Sequence, residues 1–209
     1  KSRKKNVKIV KIKFLINTNK IELQISKYCD ENTPLSPISF YGKSKVNAES
    51  MLLEKGNAIT YRLATVFGTS PRMRMDLLVN DFVYRAVKDR FIVLFESHFK
   101  RNYIHIRDIA EVFIHGLNNY ESLVGEPYNV GLSDANISKK ELCERIKSHV
   151  SEFHIIENDM ATDPDKRDYI VSNEKIESTG WKPQYSLDDG IAELVRTYSW
   201  LKTNQFSNV

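Results

Sequence analysis

Cysteine is almost absent from this 209-residue chain, which has only Cys29 and Cys143. Two separated thiols give neither a disulfide framework nor the paired spacing of a zinc site, which fits a reducing, cytoplasmic setting and no metal centre. Glycine is scarce as well: the eight glycines are scattered, and no Gly-x-x-Gly-x-x-Gly turn occurs. Long apolar runs are missing too. None approaches the ~20 residues of a membrane-spanning helix. The opening KSRKKNVKIVKIKF interleaves lysine with its apolar residues, where a secretory leader needs an unbroken apolar stretch. No membrane partner is expected.

What is present is ordinary for a globular protein, with 41% hydrophobic and 28% charged residues. The formal charge of +4 has much of its surplus in the first thirteen residues. Such a cluster suits a basic edge strand or a solvated tail. The rest of the chain mixes its signs, so nucleic acid is not the expected partner.

Alternation in VKIVKIKFLIN (7–17) reads as a strand, and the proline-bearing DENTPLSP (30–37) as a loop. A helix over 38–54 stops near Gly56, and AITYRLATVFG (58–68) reads as one strand ending at glycine. A helix over 75–88, strands over 90–95 and 101–106, a helix over 107–120 and a strand over 126–131 follow. Ser138 and Glu141 form a capping-box pattern opening the helix KKELCERIKSHV. A strand near 153–157, a short helix near 173–178 and a last helix after Ser186 complete the order. Strands alternating with helices imply an α/β fold with a mostly parallel sheet and crossover helices.

Inside PISFYGKSKVNAES (37–50), Tyr41 and Lys45 stand four apart. On a helix, positions i and i+4 share a face, so both side chains can enter one cleft. A free phenol has a pKa of ~10, and a neighbouring ammonium lowers it. Bringing it into the neutral range takes roughly 4 kcal/mol of differential stabilisation. A phenol so tuned can take a proton from a substrate hydroxyl. Tyr84 and Lys88 repeat the spacing in another helix. Because Tyr84 sits mid-helix among Phe82, Val83 and Val87, packing explains it better.

Four blocks, DENTPLSPISFYGKSKVNAE, YRLATVFG, RNYIHIRDIAEVF and PYNVG, together resemble the extended short-chain dehydrogenase/reductase family, in its nucleotide-sugar epimerase/dehydratase branch. The resemblance covers roughly residues 29–190. It implies a partial Rossmann-type parallel sheet plus a small C-terminal α/β substrate-binding lobe. Residues 1–68 and 107–131 would form a truncated dinucleotide-binding part, and 69–106 and 132–209 the substrate lobe. It also implies a nucleotide-sugar substrate, NAD or NADP as cofactor, and a homodimer through the Tyr41 helix.

By the same resemblance Tyr41 is the catalytic acid/base, and Lys45 holds the nicotinamide ribose while acidifying the phenol. Thr18 would be the third catalytic group; a strand-end hydroxyl capping local backbone is the alternative. Backbone at Ala64 would meet the nicotinamide carboxamide, and Thr65 and Asn80 the substrate. Arg101 and Arg167 match arginines that grip the diphosphate, though either alone would read as a surface ion pair. Dehydratases carry Asp-Glu directly after the threonine, where this chain has Asn19 and Lys20, so dehydration is disfavoured. His98, His105 and His115 show no ligand spacing.

The family opens with a glycine-rich turn that cradles the cofactor pyrophosphate. Its absence here reads as the C-terminal portion of such an enzyme, binding dinucleotide poorly and turning over slowly or not at all. An epimerase is the leading expectation. A nucleotide-sugar reductase or a non-catalytic binding module of the same fold are the alternatives.

Overall fold

A computed structural model describes residues 8–13, 28–37, 39–158 and 168–201, the first of these segments by its backbone alone. In chain order the elements are β1 (Lys8–Lys13), β2 (Tyr28–Cys29), α1 (Phe40–Glu54), β3 (Ala58–Leu63), β4 (Thr65–Phe67) and α2 (Leu78–Lys88). Then come β5 (Phe91–Leu94), β6 (Lys100–Arg101), β7 (Tyr103–His105), α3 (Ile106–Asn118), α4 (Tyr120–Leu123) and β8 (Pro127–Val130). The remainder is β9 (Ile137–Ser138), α5 (Lys139–His149), β10 (His154–Glu157), β11 (Ile170–Val171), α6 (Glu174–Glu177) and α7 (Leu187–Trp200).

The main sheet is parallel, in the order β1-β3-β8. Every residue of β3 is buried, as a central parallel strand requires when helices cover both its faces. Successive side chains on a strand point to opposite faces, and β3 shows which helix takes which. The Tyr61 hydroxyl donates to the Val112 carbonyl of α3 at 3.1 Å. Its neighbour Arg62 reaches Glu49 of α1 on the other face. At Gly116 a methyl would collide with the Tyr61 hydroxyl, so glycine is what lets α3 lie this close. Each fully buried Leu, Ile, Val or Phe adds about 1.5–3 kcal/mol.

Beyond the main sheet, β4 pairs with β7 and β5 with β10, both parallel, while β6 pairs antiparallel with β9. Helices α2, α5 and α7 pack against one another over these pairs. The capping box of α5 forms: Glu141 N donates to Ser138 Oγ at 3.1 Å, and Ser138 N to Glu141 Oε2 at 2.7 Å.

Two strand expectations need correcting. The stretch 58–68 is two strands, not one. At Ala64 the chain changes partners: Ala64 N donates to the Val130 carbonyl, and Thr65 N to the Asn102 carbonyl. Likewise 101–106 divides at Asn102 into β6 and β7. The switch at Ala64 lifts β4 out of the main sheet and makes it part of a cleft that α1 also lines. Among the described residues, no helix is long and apolar enough to cross a membrane.

Candidate active site

The site begins at the N-terminus of α1. Ser39 caps the helix by accepting from Gly42 N at 3.0 Å, which satisfies one of the otherwise unpaired amides of the first turn. Gly42 is buried, whereas Tyr41 on the same turn is 48% exposed. One turn on, the Lys45 ammonium stands over the Tyr41 ring, 5.3 Å from its centroid. Both side chains line one cleft of about 350 Å³, within the range of small-molecule sites. Tyr84 packs edge-on against Tyr198 of α7, with ring centroids 5.4 Å apart, and does not line that cleft. The repeated spacing is therefore packing in one case and a cleft wall in the other.

The facing wall comes from β4, the turn at Gly68, the loop 70–74 and the start of α2. Thr65 lines it. Ala64 lies beside it with its amide committed to Val130. Asn80 also lines the cleft, but its amide shapes the wall: Oδ1 accepts from Gly68 N at 3.1 Å, and Nδ2 donates to the Arg74 carbonyl at 2.9 Å. The structure thus gathers Tyr41, Lys45, Thr65 and Asn80. It does not bring Arg101 to the cleft surface. That side chain is 3% exposed, donates to the Lys100 carbonyl and lies 5.9 Å from the Tyr169 ring centroid. Thr18 and Arg167 fall outside the described residues. Arg72 and Arg74, which sequence reasoning left unassigned, line the cleft as well.

Behind α1, Arg62 and Glu49 form a buried pair. Arg62 Nη2 donates to Glu49 Oε1 at 2.6 Å, and Nε to both carboxylate oxygens at 3.1 Å. Arg62 Nη1 donates to the Glu31 carbonyl, and the Glu31 carboxylate accepts from Asn129 N. One guanidinium therefore ties β3, α1 and the loop before α1 together. Glu49 lies on the same helical stripe as Tyr41 and Lys45, so this tie also fixes the roll of the helix that aims them.

His105 lies under the Gly68 turn. It is fully buried and stacked on Tyr185 with ring centroids 4.5 Å apart; its Nε2 is 3.5 Å from a Glu193 oxygen. Burial holds its pKa below the ordinary 6.5, opposed by the charges of Glu193, Asp108 and Asp189 and assisted by Arg107. His115 is lowered by burial too. The unfolded chain then takes protons first, so stability is complete above 6.5 and falls as pH drops below it. The melting temperature should decline as pH falls below ~6.5, and His105→Gln should flatten that slope. A slope unchanged in the variant would contradict the assignment.

The cleft suits the nicotinamide end of NAD or NADP. A half-exposed phenol and an ammonium stand together where a ribose can donate and accept hydrogen bonds. Among these 209 residues no glycine-rich turn opens a helix.

Residues 22–131 match the model of the NAD dependent epimerase/dehydratase family. The chain is 29% identical over 182 residues to the mouse dTDP-D-glucose 4,6-dehydratase, covering 81% of this chain and 50% of that protein. It is 26% identical to a putative UDP-glucose 4-epimerase of Methanocaldococcus jannaschii, covering 84% of this chain and 57% of that one. The chain thus spans about half the length of these relatives. The Bacillus anthracis dTDP-glucose 4,6-dehydratase, solved with NAD, superposes with a TM-score of 0.71 at 25% identity, over 85% of this chain and 57% of that one. The Thermus thermophilus UDP-glucose 4-epimerase, also with NAD, shares the fold with a TM-score of 0.71 at 22% identity, over 91% of this chain and 64% of that one.

Proposed function

Because the chain belongs to the NAD-dependent epimerase/dehydratase family, we propose that its cleft binds a nucleotide sugar and serves an epimerase-type reaction. The observation that carries this is the meeting of Tyr41 and Lys45 on one wall of a cleft whose other wall holds Thr65, Arg72 and Asn80. NAD(P), when bound, would supply the acceptor for hydride from the sugar carbon and the donor that returns it to the opposite face. Tyr41 takes the proton of the sugar hydroxyl as the carbonyl forms and returns it when the alcohol is restored. Lys45 stands beside this phenol, its ammonium 5.3 Å from the centroid of the Tyr41 ring.

Epimerisation is favoured over dehydration by Asn19 and Lys20, which follow Thr18 where a dehydratase would carry acid/base carboxylates. In this proposal residues 1–68 and 107–131 form the dinucleotide-binding part and 69–106 and 132–209 the substrate lobe. Two copies of the chain would associate through α1, whose Phe40 and Met51 are exposed. Thermal unfolding tests the substrate. UDP-glucose or dTDP-glucose should raise the melting temperature saturably, by RT ln(1 + [L]/Kd) in free energy, and NAD alone should raise it little. No shift with any nucleotide sugar would leave a non-catalytic module of the same fold.

A further inference from the structure

Among the described residues that line the cleft, the charged side chains are Lys45, Arg72 and Arg74, all cationic. Two of the three are engaged. Lys45 lies over the Tyr41 ring. Arg74 forks onto the Asp76 carboxylate, through Nε at 2.7 Å and Nη2 at 2.5 Å. The Arg72 guanidinium is exposed and makes no hydrogen bond or ion pair with any described residue.

Its backbone, in contrast, is held firmly. The Ser70 hydroxyl donates to the Arg72 carbonyl at 3.0 Å, and Met73 buries its side chain in the core at 4% exposure. On the far side, Asn80 Nδ2 takes the Arg74 carbonyl. With Met73 anchored inward and both flanks bonded, Arg72 is presented to the cleft on a preorganised loop, which lowers the entropic cost of binding. A guanidinium offers paired donors that match phosphate oxygens.

We propose that Arg72 grips the diphosphate of the nucleotide sugar. This rests on the functional reading above, and the test separates the two. Calorimetry would titrate UDP and dTDP, their monophosphates and their nucleosides into the wild-type chain, Arg72→Ala and Arg72→Lys. A charge-assisted contact predicts that Arg72→Ala weakens diphosphate binding about tenfold or more. Monophosphates should lose less and nucleosides nothing, with Arg72→Lys in between. Both variants should melt with the wild type, since the side chain bonds to no described residue that it would leave unpaired. Diphosphate binding unchanged in Arg72→Ala would overturn the inference alone, and so would an equal loss for nucleosides, which would place the contact elsewhere. A wild-type chain that binds no nucleoside diphosphate would overturn the functional reading and the inference with it.

Discussion

Glu49→Ala is expected to destabilise the chain by about 3–5 kcal/mol, because it strands a buried guanidinium that had a carboxylate partner. That is a large share of the ~5–15 kcal/mol by which domains stay folded. Arg62 is 6% exposed and Glu49 3% exposed, so solvent cannot replace the lost interaction. The effect belongs to the broken pair and not to the charges themselves. Glu49→Met combined with Arg62→Met removes both and should recover most of the loss, since apolar side chains of similar volume often substitute for a buried ion pair at little cost. Denaturant midpoints of the single and double variants give the comparison. A double variant as unstable as the single one would show that Arg62 is needed for the loop at Glu31 and not for α1.

The consequence reaches the site through helix geometry. Glu49 stands two turns from Tyr41 and one from Lys45, on the stripe that faces inward. While Arg62 holds the carboxylate in a fork, α1 has one roll about its axis and one approach to β3. Freed from it, the helix keeps its cap at Ser39 but loses what orients the rest.

Much of this was legible in the residues. The Tyr41–Lys45 spacing, its proline-bearing loop and the strand that follows pointed to one wall of a cleft, and Tyr84 supplied an internal comparison that sorted correctly as packing. The capping box at Ser138 was readable because it needs only two residue types at a fixed offset. The break at Ala64 was not. Both halves of AITYRLATVFG carry the same apolar and β-branched character, and nothing in that pattern records a change of hydrogen-bonding partner. The two-residue strands β2, β6, β9 and β11 are too short to show a period. The Glu49–Arg62 pair left no trace either, since a helical glutamate belongs by default to solvent and its partner lies thirteen residues away. Arg72 hid in SPRMRM because its meaning depends on Met73 turning inward, which only the packing reveals.

Tyr41→Phe carries the largest expected effect on chemistry. The ring, its place in the cleft and its contact with Lys45 all persist in phenylalanine, so binding should change little. What disappears is the hydroxyl we propose exchanges a proton with the sugar, and positioned acid/base catalysis contributes about 10²–10⁴-fold in rate. A lowered rate at unchanged nucleotide-sugar affinity is the signature of a group acting in the transition state alone.

The most direct measurement is the proton NMR spectrum of UDP-glucose or dTDP-glucose incubated with the chain and excess NAD. A second set of sugar resonances, from the epimer at one ring carbon, should grow slowly in the wild type. Its rate should rise with NAD concentration, and it should vanish in Tyr41→Phe. A wild-type spectrum that stays unchanged however much NAD is supplied, or equal conversion by the phenylalanine variant, would contradict the assignment of Tyr41 and Lys45 as a reaction site.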